Sequence, residues 1–277
     1  MTCADKPLVI AVAPNGARYS RADHPELPLT PQQLAQTALA CLEAGARMIH
    51  LHVRDSNNKH SIQPQHYLPA LEAVKEAVGD EMIVQVTSEA AGIYSSSEQI
   101  QLMTELMPDC VSVALRELVP DDGKIEPFKE FIHCLTAKGC LLQYILYDET
   151  DFERYQNMIL TGVIPEGGHS VLYVLGRYTK SAPTLEIVSQ YKSILTTEIP
   201  IMVCTFGANG NQILARSVEL GTHARIGFEN GFYLPNGDIA RDNAQLIEQS
   251  IRSFESSGRK LASLEQARVL LGQELGQ

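Results

Sequence analysis

Short β-rich runs alternate with longer stretches of helical periodicity along the whole chain, and this alternation constrains the fold more than any other feature. The first run is Leu8–Ala13. The first helix opens at Thr30-Pro31, with Thr30 as N-cap and Pro31 in the first helical position, and stops at Gly45. Further strands are expected at Met48–Val53, Met82–Val86, Cys110–Val113, Cys140–Tyr147, Ser170–Leu175, Ile201–Thr205 and Ala224–Phe228. Helices are expected at roughly His66–Val78, Ser97–Met107, Glu126–Ala137, Asp151–Thr161, Thr184–Leu195, Asn211–Leu220 and Asp242–Ser256. A short extra helix, Ser263–Leu271, closes the chain.

Eight such units in 277 residues match the arithmetic of a TIM (β/α)8 barrel, which needs about 250 residues. A doubly wound sheet would carry a Gly-rich phosphate turn after its first strand. The turn here, Pro14-Asn-Gly-Ala17, has a single Gly. Nothing reads as a linker, so a single barrel domain over residues 1–277 is expected. Hydrophobic residues at 44% suffice for its core. The 22 Lys+Arg against 33 Asp+Glu leave a net charge of −11, which argues against nucleic-acid or anionic-membrane partners. No apolar run approaches the ~18 residues of a membrane helix. The start of the chain lacks a leader pattern, so a cytoplasmic protein is expected. Six cysteines without CxxC spacing read as reduced thiols, mostly in the core.

In such a barrel, chemistry gathers where the strands end. The second strand ends His50-Leu-His-Val-Arg-Asp55. Side chains alternate along a strand, so His50 and His52 share the interior face. Two buried imidazoles need several hydrogen-bond partners as core residues, or one divalent metal. Glu229, at the end of the last strand, reads either as a third ligand or as a solvated loop carboxylate. That strand lies one strand removed from the second. A His2Glu set with an open position is a catalytic zinc pattern. Arg225, within the strand, must pair with a carboxylate or bind an anion. Thr87, Ser88 and Glu89 offer hydroxyls and a carboxylate after the third strand, and Ser112 and Arg116 mark the fourth. The turn Gly207–Gly210 reads as an anion nest or an ordinary turn. His223 and the isolated His24, His60, His66, His133 and His169 read as surface residues.

These residues carry a resemblance. Ala13-Pro-Asn-Gly-Ala17, Arg21-Ala-Asp-His-Pro25, Leu27-Pro-Leu-Thr-Pro31, Glu43-Ala-Gly-Ala46, the His50–Asp55 segment, Val174-Leu-Gly176, Arg225-Ile-Gly-Phe-Glu229, Asn243-Ala-Gln-Leu246 and Ala262–Arg268 span nearly the whole chain. Together they resemble the β-keto acid cleavage enzymes. The resemblance implies Zn²⁺ held by His50, His52 and Glu229, and assembly as a homo-oligomer, tetramer or dimer. It also implies a retro-Claisen exchange in which a β-keto acid and acetyl-CoA give acetoacetate and a new acyl-CoA. Arg225 would then stabilise a carboxylate or a developing oxyanion.

The chain departs from the family pattern in five places. Asn230 stands where the family has an Asp general base, and an amide accepts no proton at neutral pH. Arg18 stands where the type member has Glu. Ser112-Val-Ala114 replaces a Thr-x-Asn pattern, and Gln143 and Ile145 replace a carboxylate pair. Glu89 replaces a small residue and is a candidate displaced base. Thr87, Ser112, Gln143 and Arg18 are the candidate substrate contacts, with Arg18 suited to an acidic tail. The alternatives are a zinc hydrolase on the same barrel and a zinc-binding barrel that has lost catalysis.

Overall fold

The computed structural model describes residues 5–177, 186, 199–207 and 210–273. Strand alternation sorts apolar side chains onto two faces. Along β1 (Ile10–Val12), Ile10 and Val12 face the helices, while Ala11 joins Met48, Ile83, Cys110, Leu141 and Cys204 inside. The other interior strands are β2 (Met48–Leu51), β5 (Ile83–Thr87), β6 (Cys110–Ala114), β7 (Leu141–Leu146), β8 (His169–Leu175), β9 (Ile201–Thr205) and β10 (His223–Ile226). All pair in parallel and close as β1-β10-β9-β8-β7-β6-β5-β2. Residue Ala11 pairs with Met48 on one side and with Arg225 on the other, so β1 separates β2 from β10.

The helices wrap this barrel. They are α1 (Pro31–Glu43), α2 (Pro64–Val78), α3 (Ser96–Leu106), α4 (Leu115–Leu118), α5 (Ile125–Ala137), α6 (Glu149–Leu160), α7 (Gly210–Glu219), α8 (Asn243–Ser253) and α9 (Leu264–Leu270). Capping fixes several starts: Thr30 with Gln33, Ser95 with Glu98 and Ser263 with Gln266 each form a reciprocal capping box. The last helix plugs the floor. Ala262 N donates to Leu8 O at 2.9 Å, and Ala262, Ala267 and Leu271 join the interior cluster.

Several sequence expectations shift. β1 and β10 are shorter than expected, β10 ending at Ile226, and α2 starts at Pro64. A hairpin of β3 (Val53–Arg54) and β4 (His60–Ser61) and the single turn α4 were not anticipated, being too short for a periodicity signal. The expected helix Thr184–Leu195 lies outside the described residues apart from residue 186. Cys41, Cys110, Cys140 and Cys204 are buried free thiols, whereas Cys134 is exposed on α5.

The surface reading of the histidines is corrected at four positions. His24, His60, His169 and His223 are buried. Each is accommodated because at least one ring nitrogen finds a fixed partner. His24 Nε2 meets Ala240 O at 2.9 Å, and His60 Nε2 meets Glu89 O at 2.7 Å. His223 Nδ1 accepts from Val9 N at 3.1 Å. His169 lies between the Tyr155 hydroxyl at 2.6 Å and Gly167 O at 3.1 Å. His133 is exposed and His66 half-buried.

Burial pushes the His169 imidazole from 6.5 down to about 4. In the unfolded chain it protonates first, so the fold loses stability as pH falls from about 6.5 toward 4. The expected loss from this residue is about 3 kcal/mol by pH 4. Urea unfolding at pH 7 and pH 4.5 should therefore show a smaller pH-dependent decrease for His169→Gln than for the wild type.

Candidate functional site

Two glycines let the last strand bring its carboxylate to the second. Gly227 has φ +140°, and a Cβ there would lie 2.2 Å from Ala13 O. Gly16 has φ +60°, and its Cβ would meet Glu229 Cγ at 2.5 Å. Without either side chain, Glu229 N donates to Ala13 O at 3.0 Å and the carboxylate reaches across β1. Asn15 and Arg54 tie the neighbouring loops. Asn15 Nδ2 donates to Pro28 O and His52 O, and Arg54 Nη2 donates to Gly16 O and Tyr19 O.

The three candidate ligands converge. His50 Nε2 and His52 Nε2 stand 3.1 Å apart. Glu229 Oε2 lies 3.3 Å from His52 Nε2 and 3.6 Å from His50 Nε2. All three side chains are buried. Gln85 Oε1 accepts from His50 Nδ1 at 2.7 Å, which assigns the tautomer and turns the Nε2 lone pair toward the cluster. Two facing imidazole nitrogens share at most one proton, and Glu229 Oε2 has no hydrogen-bond partner among the described residues. A divalent cation resolves both deficits. Bonds of about 2.0–2.2 Å put neighbouring tetrahedral donors roughly 3.4 Å apart, close to the separations here. The donor set thus fits a metal.

Two arginines supply the balancing charge. Arg225 Nη2 lies 3.1 Å from Glu229 Oε1 and 3.4 Å from Cys204 Sγ. Arg177 Nη1 lies 3.4 Å from the same carboxylate oxygen, and its Nη2 is 2.7 Å from Glu89 Oε1. Burial alone would raise the Glu229 carboxyl, but Arg225 and the two histidines hold it well below its usual range. Burial, aided by the Arg225 charge, takes His50 down to about 3, so the imidazole is neutral at physiological pH.

Above the cluster lies a narrow cavity of about 20 Å³ that opens toward an outer cleft of about 360 Å³. Thr87, Ser88, Glu89 and Ser112 line the inner cavity, as the sequence implied. Glu89 Oε2 lies 3.8 Å from His52 Nε2. Arg18 is in the outer cleft, with a side chain 58% exposed and 3.8 Å from Glu89 Oε1. Gln143 does not line either space. It sits in the barrel beside Gln85, accepting from Gln85 Nε2 at 3.3 Å and donating to Ser170 Oγ at 3.3 Å. Its place is in the chain of amides that orients His50. Asn230 faces a different cleft, on the other side of Arg225. Arg116 pairs with Asp148 and Asp151, away from the cation cluster.

Sequence reasoning missed Arg177 and Glu117, which both line the inner cavity. Arg177 lies two residues past the end of β8, so the strand-end rule pointed at its neighbourhood. Glu117 is in the one-turn helix α4, beside the Arg116 that the sequence did single out. Burial raises the Glu117 carboxyl, against the pull of its bond from Ala90 N.

A family model of beta-keto acid cleavage enzymes matches residues 7–272. The chain is 28% identical over 272 residues to the 3-keto-5-aminohexanoate cleavage enzyme of Fusobacterium nucleatum, spanning 95% of this chain and 97% of that protein. It is 28% identical over 278 residues to the 3-oxoadipate:acetyl-CoA acetyltransferase of Cupriavidus necator, spanning 96% and 95%. Among solved structures, ObcA in binary complex with oxaloacetate superposes with a TM-score of 0.65 at 15% identity, over 91% of this chain and 68% of that one. The 3-dehydroquinate dehydratase of Geobacillus kaustophilus gives 0.57 at 12% identity, over 90% and 92%. At these identities both structures bear on the fold alone.

Elemental analysis of the untagged protein should find one divalent ion per chain, lost in Glu229→Gln and His50→Ala. Gln85→Leu should keep the fold but weaken metal affinity by about 10- to 100-fold in chelator competition, because His50 loses its orienting acceptor.

Proposed function

Since the chain belongs to the β-keto acid cleavage enzyme family, we propose that it transfers an acyl group between a β-keto acid and acetyl-CoA, with Zn²⁺ held by His50, His52 and Glu229. The products are acetoacetate and a new acyl-CoA. The observation that carries this reading is the convergence of two imidazoles and a carboxylate beside two arginines in a cavity at the C-terminal ends of the strands. When bound, the cation supplies a Lewis acid that polarises the ketone.

The chain's own groups supply the rest. The reaction needs a proton removed from the carbon between ketone and carboxylate, and Asn230 cannot accept it. Glu89 is the carboxylate in the inner cavity that combines proximity to the cluster with a direct arginine partner. It takes the base role here, and Arg177 orients it. Arg225 stabilises the negative charge that develops as the C–C bond changes hands. The Thr87 and Ser112 hydroxyls line the same space and bind the substrate carboxylate. The Ser112 Oγ has no hydrogen-bond partner among the described residues, which leaves it available.

Arg18 and Arg177 both line the outer cleft, which favours an acyl group that ends in a second anion. The Cupriavidus necator relative is named for 3-oxoadipate, a keto acid of that kind. No described helix is long and apolar enough to cross a membrane. The proposal extends to a cytoplasmic homo-oligomer, dimer or tetramer.

Metal-loaded protein incubated with acetyl-CoA and a panel of β-keto acids should form acetoacetate, fastest with keto dicarboxylates. Turnover that requires only water would point to a hydrolase, and none with any keto acid would sink the reading. Glu89→Gln should lower kcat by about 10²–10⁴. Arg18→Ala should raise KM for a keto dicarboxylate several-fold and leave KM for a neutral-tailed keto acid unchanged.

A further inference from the structure

Three consecutive residues around Glu89 each have a backbone group gripped by a side chain from a different element. Gln99 Nε2, on α3, donates to Ser88 O at 2.7 Å. His60 Nε2, on β4, donates to Glu89 O at 2.7 Å. Glu117 Oε2, on α4, accepts from Ala90 N at 2.9 Å. Gln99 Nε2 also donates to Glu117 Oε2 at 3.0 Å, which links two of the three grips. Ser88 O can only accept, so the Gln99 amide sits this way round. Its own Oε1 is then left without a partner among the described residues.

The segment so held is strained, and it borders the reacting space. Ala91 has φ +50°, a left-handed conformation that a residue with a Cβ seldom adopts, and Gly92 follows at +75°. Such strain persists only where the surroundings impose it. Ser88, Glu89 and Glu117 all line the inner cavity, and Glu89 enters it to meet Arg177 Nη2 at 2.7 Å. Glu117 spends one oxygen on two N–H donors, and an ionised acceptor holds such donors more firmly than an amide does.

We propose that Glu117 is a positioning residue for Glu89. It holds Ala90 N directly and steadies the Gln99 amide that holds Ser88 O. The backbone on both sides of Glu89 is thereby fixed, and with it the direction in which the Glu89 side chain leaves the chain. A general base acts only within hydrogen-bond reach of its proton, and a misplacement of about 1 Å costs about 10²-fold. The inference rests on the reading of Glu89 as the base. It adds that the aim of that base is set from α3 and α4, as well as from β5.

The test is exchange of the protons between ketone and carboxylate, with 3-oxoadipate as the probe. Metal-loaded full-length protein is followed by NMR in D2O without acetyl-CoA. Glu89 takes a proton from that carbon, trades it with solvent and returns a deuteron. The wild type should exchange faster than the spontaneous rate, and Glu89→Gln should not. Glu117→Ala should lower the exchange kcat by about 10- to 100-fold and leave KM within about three-fold. Glu117→Gln keeps an oxygen for Ala90 N and should recover to within about five-fold of the wild type. Should Glu117→Ala not fold, Gln99→Leu carries the same expectation of a lower kcat at unchanged KM. Wild-type exchange in the folded variant of this pair, with Glu89→Gln inactive, would overturn the positioning role and leave the base in place. So would a rise in KM alone, or Glu117→Gln as slow as Glu117→Ala. Undiminished exchange by Glu89→Gln, or none by the wild type, would instead overturn the base reading and this inference with it.

Discussion

The seam where the last strand returns to the first sets the position of everything that reacts. Gly227 approaches Ala13 more closely than any side chain would permit, and Gly16 clears the space that Glu229 crosses. The register of β1 against β10 and β2 then decides the rest, because Ala11 pairs with Arg225 on one side and Met48 on the other. Two residues further along the second strand is His50, and four further along the last is Glu229. A closed barrel leaves no freedom to slide these segments, since a slip would be felt at every pairing around the ring. The cluster is therefore held by the backbone, and its side chains need only small adjustments to meet.

That rigidity carries an electrostatic cost, which the site offsets locally. A carboxylate buried among imidazoles would protonate on desolvation grounds alone. Arg225 and the two histidines prevent this; Arg225 and Arg177 lie within 3.4 Å of one oxygen, and the other is turned to the histidines. The two oxygens of Glu229 thus do different things. Behind His50, the amides of Gln85 and Gln143 pass hydrogen bonds to Ser170 across β5, β7 and β8. Uncharged groups are well suited there, because they fix a tautomer without adding a charge that would need its own partner.

Much of this was legible in the sequence, and the reasons differ by residue. The barrel followed from counting alternations, and the shared face of His50 and His52 followed from the two-residue period of a strand. Glu229 was found by asking what stands at strand ends. What failed was anything that depends on partners far away in sequence. His24, His60, His169 and His223 read as surface because their acceptors or donors, at Ala240, Glu89, Tyr155 and Val9, come from other segments. Arg177 and Glu117 enter the cavity because loops lean inward, which no local pattern records. Asn230 was assigned to the chemistry by position, yet a turn with Asn230 N bonded to Gly227 O at 2.8 Å sends successive side chains into separate spaces.

The β3–β4 hairpin, too small to be foreseen, carries a different lesson. Its His60 holds Glu89 O at 2.7 Å and packs against His52 with ring centroids 5.5 Å apart. The loop bearing Glu89 is thereby braced from outside the barrel wall. Arg177 stands on the loop after β8, away from the seam, whereas Arg18 follows Gly16 on the loop that forms it. A change in the loop bearing Glu89 or in the one bearing Arg177 would therefore reshape the mouth of the cavity without disturbing the strand pairing that brings His50, His52 and Glu229 together.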